Sequence, residues 1–161
     1  MGWFKRRIEG ITTHTVDKKE TPEGLWHKCI KCKVIVSLDD HRTNLYVCNN
    51  CGYHDRIDAA EYFEFLFDGG IYVELDPDLV SQDPLHFEDT KKYSDRLKAT
   101  IAKTGLKDAV SSAYGKLDGK DITIAAMNFN FIGGSMGSVV GEKIARAIDH
   151  SLKTGKPFLM I

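Results

Sequence analysis

The sequence predicts an α/β fold preceded by a small ribbon that carries four cysteines. Two Cys-x2-Cys pairs lie between residues 29 and 51, apolar residues recur at helical spacing in three later segments, and short apolar runs separate those segments. The composition is that of a globular protein, with 42% hydrophobic and 28% charged residues. The formal net charge of −1 argues neither for nor against a polyanionic partner.

The front of the chain is more basic than the rest. Residues 1–25 have no sustained period and are rich in charge, threonine and glycine, which predicts a basic tail. Residues 1–33 carry eight basic side chains against four acidic ones. Such a front could contact nucleic acid or an acidic partner, but a solvated tail is the alternative that this charge alone favours.

The sequence shows no feature of a membrane or secreted protein. No apolar run approaches the ~20 residues that span a bilayer, and the start lacks an apolar stretch with a cleavage site. We therefore expect a cytoplasmic protein without a membrane span. In that compartment four cysteines act as metal ligands or redox thiols more readily than as disulfides.

The cysteines follow the pattern Cys-x2-Cys-x15-Cys-x2-Cys, which is typical of a four-cysteine zinc site. Zinc prefers four ligands in a tetrahedron, and each Cys-x2-Cys turn lets two thiolates converge. The predicted ligands of one structural Zn²⁺ are Cys29, Cys32, Cys48 and Cys51. Two disulfides would suit a secreted protein, and a thioredoxin-like motif would need a βαβ setting that neither pair has.

The predicted ribbon covers residues 26–57. We expect strands at 34–36 and 45–47, joined by a polar loop at 37–44. Gly52 after the last cysteine suits a left-handed turn, whereas the first pair has Lys33 at that place. Three nearby histidines could replace a cysteine ligand, but with four thiols present we expect them at the surface. They are His27, His41 and His54.

The segment from residue 58 begins with a helix and a strand. Asp58 followed by Glu61 forms a capping box, and Gly69 is placed to end the helix. Residues 71–75 predict a short strand. The spacing of Tyr93, Leu97 and Ile101 predicts a second helix, which Gly105 closes.

The remaining elements predict a hairpin, a third helix and a last strand. Apolar runs at 109–114 and 122–131 flank Asp118-Gly119, a strong hairpin signal. The third helix, with Val140, Ile144, Ala147 and Ile148 on one face, ends at Gly155, and a strand begins at residue 158. Because the sequence stops within that strand, we expect it to be a fragment.

Glycines mark the junction between the hairpin and the third helix. Gly133, Gly134 and Gly137 lie in the run Gly-Gly-Ser-Met-Gly, and backbone amides at such a junction could hold an anion. The spacing matches neither a dinucleotide fingerprint nor a P-loop, so spacing alone favours a tight turn. Gly141, inside the helix, predicts close backbone packing, and Ser135 is the expected helix cap.

Several stretches together resemble a known family. They are residues 128–149 with Gly155-Lys-Pro157, the front Trp3-Phe4-Lys5, Leu25-Trp26, and Cys48-Asn-Asn-Cys51-Gly52. Over essentially all 161 residues the chain resembles the β subunits of bacterial acetyl-CoA carboxylase carboxyltransferases. The resemblance implies a crotonase-like core of ββα units, truncated here to residues 58–161, behind the zinc ribbon.

The resemblance also implies an activity and partners. These subunits transfer a carboxyl group from carboxybiotin on a carrier protein to acetyl-CoA, giving malonyl-CoA for fatty acid synthesis. They work in a heterotetramer with an α subunit, beside a biotin carboxyl carrier protein and a biotin carboxylase. The alternative is a zinc-ribbon module that binds nucleic acid or serves assembly, through residues such as Trp26, Lys31 and Arg42.

The resemblance limits what the glycine run can do. In the family, a second Gly-Gly loop that supplies oxyanion donors follows the strand beginning at Phe158. Gly133, Gly134 and Gly137 are therefore expected to have only a supporting role in the CoA-binding region. No catalytic residue is assigned in this sequence, and we expect the 161-residue chain alone to be inactive.

Overall fold

The computed structural model describes residues 24–161. The chain divides into two compact units, with the boundary between Asp55 and Arg56. Most of the predicted basic tail, residues 1–23, lies outside the described residues. Within the described part of the chain, no helix is both long and apolar enough to cross a bilayer.

In its described residues, 24–55, the first unit contains one small hairpin and one short helix. Strand β1 (Trp26–Lys28) pairs antiparallel with β2 (Ile35–Ser37), and helix α1 (Leu38–Thr43) follows directly. The Ser37 hydroxyl accepts a hydrogen bond from the Asp40 backbone N–H at 3.0 Å and so caps α1.

Two predictions for this unit are wrong. The stretch 37–44, predicted to be a loop, contains α1. The predicted strand at 45–47 is a turn, because Leu45 and Tyr46 adopt left-handed φ angles of 51° and 59°. Their backbone N–H groups donate to carbonyls of the preceding helix, so local turn bonds replace strand pairing. The strand predicted at 34–36 is present one residue later as β2.

The second unit is built on a four-stranded sheet in the order β3-β4-β5-β6. The strands are β3 (Tyr72–Leu75), β4 (Val110–Leu117), β5 (Lys120–Met127) and β6 (Phe158–Met160). The first three are antiparallel neighbours, whereas β6 runs parallel to β5. Asp118 and Gly119 close the predicted β4–β5 hairpin with φ angles of 50° and 74°, as a tight two-residue turn requires.

Three helices pack on this sheet: α2 (Ala59–Leu66), α3 (Tyr93–Thr104) and α4 (Ser138–Thr154). The capping box of α2 is present, with the Glu61 carboxylate accepting from the Asp58 N–H at 3.0 Å. Helices α3 and α4 end as predicted at Gly105 and Gly155, both left-handed.

Helices cover both faces of the sheet. Ile124 and Ala126 of β5 belong to one buried cluster with Phe63 of α2. The alternate residues Ala125 and Met127 belong to a second buried cluster, with side chains of α3 and α4. Since successive side chains of a strand point to opposite faces, the unit is a three-layer α/β/α arrangement with β5 buried on both sides.

Candidate functional site

The four predicted metal ligands lie together in the first unit. The Sγ atoms of Cys29 and Cys51 are 3.7 Å apart, as are those of Cys32 and Cys48. All four sulfur atoms lie within 4.8 Å of one another. A tetrahedral metal with ligands at about 2.3 Å would place its sulfur ligands about 3.8 Å apart. The geometry therefore fits a single metal ion held by four thiolates.

Two matching turns bring the thiols together. The Lys33 N–H donates to the Cys29 carbonyl at 3.0 Å, and the Gly52 N–H donates to the Cys48 carbonyl at 2.8 Å. Both turn residues are left-handed, with φ of 62° for Lys33 and 66° for Gly52. Lys33 therefore adopts the same conformation as the glycine, and its ammonium donates to the Ile30 carbonyl at 2.6 Å.

Two of the thiols differ in how readily they lose a proton. Hydrogen bonds from the Asn50 side chain and the Val34 backbone lower the pKa of Cys32 to about 6. Burial raises the pKa of Cys51 to about 12, which keeps a proton on that thiol when no cation is near. A divalent metal reverses this preference, because a coordinated thiol is deprotonated.

The predicted surface position of the three nearby histidines is wrong for His41. Its side chain is only 2% exposed, and its Nε2 atom lies 2.8 Å from Asp55 Oδ2. His27 is half-buried and stacks on His41 with ring centroids 3.9 Å apart. His54 is exposed, as expected, and its backbone bridges to Val47. The burial of His41 has no signature in the sequence, since Asp55 is distant along the chain.

The glycine run forms a tight left-handed turn in the second unit. Ile132, Gly133 and Gly134 have φ angles of 44°, 67° and 77°. The Gly134 N–H donates to the Phe131 carbonyl at 2.9 Å, so this amide is engaged within the turn. A Cβ on Gly134 would lie 2.8 Å from the Phe129 ring, so glycine is also needed for packing.

Two expectations about this region are wrong. Ser135 does not cap α4, because the N-cap residue is Gly137 and Ser135 lies two residues further out. Gly141 does not mark close packing, because a Cβ there would meet nothing within 4 Å.

A cavity of about 530 Å³ lies beside the glycine turn. Residues of the turn and of the first turn of α4 form one wall, and Arg96 of α3 lies on another. Arg96 is held in place by Asp89, whose carboxylate oxygens lie 2.6 and 2.8 Å from its Nη2 atom. The cavity is large enough for part of an extended ligand, and the Arg96 guanidinium that lines it is paired with Asp89.

The segment leading into the glycine turn is anchored to α2. Buried Asn128 accepts a hydrogen bond from the Ala59 N–H at 2.9 Å and donates to Ser111 Oγ at 3.1 Å. Asn130 donates to both carboxylate oxygens of Asp58, at 3.0 and 2.9 Å. Neither asparagine has a local sequence pattern that indicates this role, because their partners lie far away along the chain.

A buried lysine borders a second cavity, of about 720 Å³. Lys143 of α4 is 2% exposed and its ammonium lies 3.4 Å from the Val110 carbonyl. Burial lowers the pKa of Lys143 and raises the pKa of nearby Asp108, and the opposite charges partly offset both effects. The helical period predicted an inward face for α4 but did not include this lysine.

A family model and two curated relatives that match this chain all carry the description carboxyl transferase. The family described as carboxyl transferase domain matches residues 79–161. The chain is 56% identical over 161 residues to a protein of Pedobacter heparinus and 57% identical to one of Christiangramia forsetii. Both are named acetyl-coenzyme A carboxylase carboxyl transferase subunit beta. The chain spans 57% and 56% of their respective lengths.

A solved structure shares the fold. The transcarboxylase 12S structure, with methylmalonyl-coenzyme A and methylmalonic acid bound, matches with a TM-score of 0.50 and 23% identity. The match covers 65% of this chain and 18% of that one. This likeness confirms the crotonase-like α/β core that was expected from the sequence.

Proposed function

This chain belongs to the carboxyl transferase domain family, and on that premise we propose that it is part of an acetyl-CoA carboxylase carboxyltransferase β subunit. The observation that carries the proposal is identity of 56–57% across all 161 residues to proteins of that name. Because the chain spans little more than half of their length, the activity is that of the longer protein.

The proposed reaction moves a carboxyl group from carboxybiotin to acetyl-CoA. The acetyl methyl carbon gains the carboxyl group, the N–C bond of carboxybiotin breaks, and the methyl proton passes to biotin. Malonyl-CoA and biotin result, and the malonyl-CoA supplies fatty acid synthesis. The protein's part is to position both substrates and to stabilise the enolate oxygen with N–H donors.

The glycine turn is proposed to support the CoA-binding region. Gly133 and Gly134 would shape the backbone of the turn there, and Gly137 lines the cavity of about 530 Å³. The engaged Gly134 amide argues against a direct oxyanion role for that residue. No side chain of this chain is proposed as a catalytic residue.

The four cysteines are proposed to hold one structural Zn²⁺. The support is the four-thiol ligand set and sulfur separations of 3.7 Å. With every position filled by protein, the ion leaves no place for a substrate. The proposed domains remain a basic tail at 1–25, the zinc ribbon at 26–57 and the first part of the carboxyltransferase domain at 58–161.

The proposed partners follow from the family. They are a carboxyltransferase α subunit in a heterotetramer, a biotin carboxyl carrier protein that carries carboxybiotin, and a biotin carboxylase. The proposed location is the cytoplasm, where four free thiols would stay reduced for metal binding.

An assay of malonyl-CoA formation tests the proposal. Two proteins would each be mixed with the α subunit, carboxylated carrier protein and acetyl-CoA: this chain, and the chain extended to the length of its relatives. We expect malonyl-CoA only from the extended protein. Absence of malonyl-CoA from an extended, correctly assembled protein would contradict the activity, and its formation by the 161-residue chain would contradict the expected inactivity.

The exposed face of the ribbon favours nucleic-acid binding as a second candidate function. Trp26 is 60% exposed, and Lys28 and Lys31 are exposed near it in the sequence. An aromatic ring beside basic side chains is suited to single-stranded nucleic acid. Binding that weakens steeply with salt and is lost in Lys31→Glu would support this function, whereas no binding at low salt would exclude it.

A further inference from the structure

A second set of metal-ligating side chains lies in the first unit. His27 on β1, His41 on α1 and Asp55 bring their ligand atoms within 4.8 Å of one another. The Nε2 atoms of His27 and His41 lie 2.9 and 2.8 Å from the same Asp55 oxygen, Oδ2. Two imidazole nitrogens therefore lie close to one carboxylate oxygen.

One of these nitrogens has no hydrogen bond. His27 Nε2 is buried and, although close to Asp55 Oδ2, is not aligned to donate to it, so it has no partner among the described residues. By contrast, His41 Nε2 and Asp55 Oδ2 form a hydrogen bond of 2.8 Å. An unpartnered buried nitrogen is costly, and a metal ion would satisfy it.

The backbone holds the three residues in place. His27 pairs with Val36 in the β1–β2 hairpin. The Asp55 N–H donates to the Tyr46 carbonyl at 3.0 Å, and the Tyr46 N–H donates to the His41 carbonyl at 2.8 Å. The Tyr46 ring meets the His41 ring edge-on, with centroids 5.6 Å apart. Strand pairing therefore holds the backbone of His27, while bonds to Tyr46 hold the backbones of His41 and Asp55.

We propose that His27, His41 and Asp55 form a second metal site, for a divalent transition metal such as Zn²⁺. Imidazole and carboxylate are the ligands of open zinc sites and of non-haem iron sites. Three protein ligands leave a fourth position for water or another small ligand. The site shares no ligand with the four-cysteine site, and its ligand atoms are nitrogen and oxygen instead of sulfur.

Binding requires a small rearrangement. Ligands at about 2.1 Å from a tetrahedral ion lie about 3.4 Å apart, so the two contacts to Asp55 must lengthen by about half an ångström. The imidazoles stack at an interplanar angle of 5°, so one ring must turn for both nitrogens to point at one ion. His27, with 22% of its side chain exposed against 2% for His41, is the ring with room to turn.

Metal stoichiometry tests the proposal. The purified full chain would be titrated with Zn²⁺ and its bound metal measured by mass spectrometry, with Co²⁺ as a spectroscopic probe. We expect two equivalents, the first with thiolate-to-cobalt charge transfer and the second with ligand-field bands only. Asp55→Asn and His27→Gln should each weaken the second equivalent at least tenfold and leave the first unchanged.

Controls keep the test decisive. His54→Gln changes an exposed histidine outside the cluster and should retain two equivalents. If Asp55→Asn fails to fold, His27→Gln alters the most exposed of the three ligands and still reports on the site. Saturation of the parent chain at one equivalent, with no cobalt bands beyond those of the thiolate site, would overturn the proposal. His27 and His41 would then be a stacked pair beside Asp55 that binds no metal.

Discussion

Gly115 lies in β4 at a point where a side chain has no room. A Cβ there would lie 2.6 Å from Phe67 Cδ1 and 2.8 Å from the Ile71 carbonyl oxygen. Phe67 belongs to the buried cluster that contains Phe63 and Ile124, so it cannot move away without disturbing the core. The other neighbour is a main-chain atom. We expect Gly115→Ala to destabilise the chain by about 1–3 kcal/mol, measured by denaturant unfolding.

Gly141 provides the matched control for this substitution. It lies near the start of α4, and an added Cβ would meet nothing within 4 Å. Because alanine favours helix more than glycine does, Gly141→Ala should stabilise the chain or leave it unchanged, with a gain of up to about 1 kcal/mol. Equal losses of stability in the two variants would mean that the close contact at Gly115 does not cause the destabilisation there.

At the scale of elements, helix α2 is fixed to the sheet through Asn128. The side-chain oxygen Oδ1 of Asn128 accepts a hydrogen bond from the Ala59 N–H. This N–H is one of the first amides of the helix, which have no partner within it. Asn128→Ala leaves this amide and Ser111 Oγ without their partner, at an expected cost of about 1–3 kcal/mol. Hydrogen exchange at the Ala59 amide should accelerate in this variant.

Ser111→Ala separates the two bonds of Asn128. It removes the partner of the Asn128 amide group but leaves the Ala59 bond intact, so exchange at Ala59 should remain slow. Slow exchange at Ala59 in Asn128→Ala would instead show that the capping box of Asp58 and Glu61 suffices to hold the start of α2.

Lys143 of α4 and Asp108, which lies just before β4, are both buried, and burial shifts their pKa values in opposite directions. The pKa of Lys143 is lowered from its ordinary 10.5, so this group makes stability rise as pH increases towards 10.5. The pKa of Asp108 is raised from 3.8, so that group makes stability fall as pH rises above 3.8. Both charged forms are therefore disfavoured by folding, while each partly stabilises the other.

Removing both charges should cost less than removing one. Lys143→Met leaves Asp108 without its cation, and Asp108→Asn leaves Lys143 with one neighbouring anion fewer. We expect the double variant to be at least as stable at pH 7 as the parent, with a flatter stability profile against pH, and each single variant to be less stable. Additive losses in thermal unfolding would show that the two side chains are not coupled.

The elements that the sequence predicted well are those with local signals. Gly105 and Gly155 end α3 and α4 because each adopts the left-handed conformation that follows a helix. The strand β1 was not predicted, since its pairing with β2 depends on the turn between the first two cysteines. Helix α1 did have a local signal, since Ser37 followed by Asp40 is typical of a helix start. The polar composition of residues 37–44 fits a loop equally well.

The residues of the candidate site also differ in whether a local sequence pattern predicts their contacts. The four cysteines were predictable because the spacing within each pair is itself the ligand geometry. His41 and Asp55 were not predictable, because their contact depends on the left-handed turn at Leu45 and Tyr46. That turn lies in a run predicted to be a strand, and tyrosine favours strands. Where a turn overrides side-chain preference, pattern alone does not show which residues meet.

At the scale of the whole molecule, the two units differ in what stabilises them. The second unit has two buried apolar clusters, on opposite faces of its sheet. In the described residues of the first unit, the fully buried apolar side chains are Cys29 and Cys48, while Trp26 and Ile30 are 60% and 59% exposed. Because so little apolar surface is buried in residues 24–55, we expect their fold to depend on the proposed Zn²⁺.

Metal removal should therefore unfold one unit and leave the other. Structural zinc sites contribute about 10–16 kcal/mol to folding, and the described residues of this unit contain no apolar core that could replace that contribution. After chelation under reducing conditions, we expect peptides from residues 24–55 to lose hydrogen-exchange protection while those of β4 and β5 keep it. Cys29→Ser should give the same pattern without chelator. Because the second unit draws its stability from its own clusters, loss of protection in β4 and β5 as well would mean that the two units fold as one cooperative body.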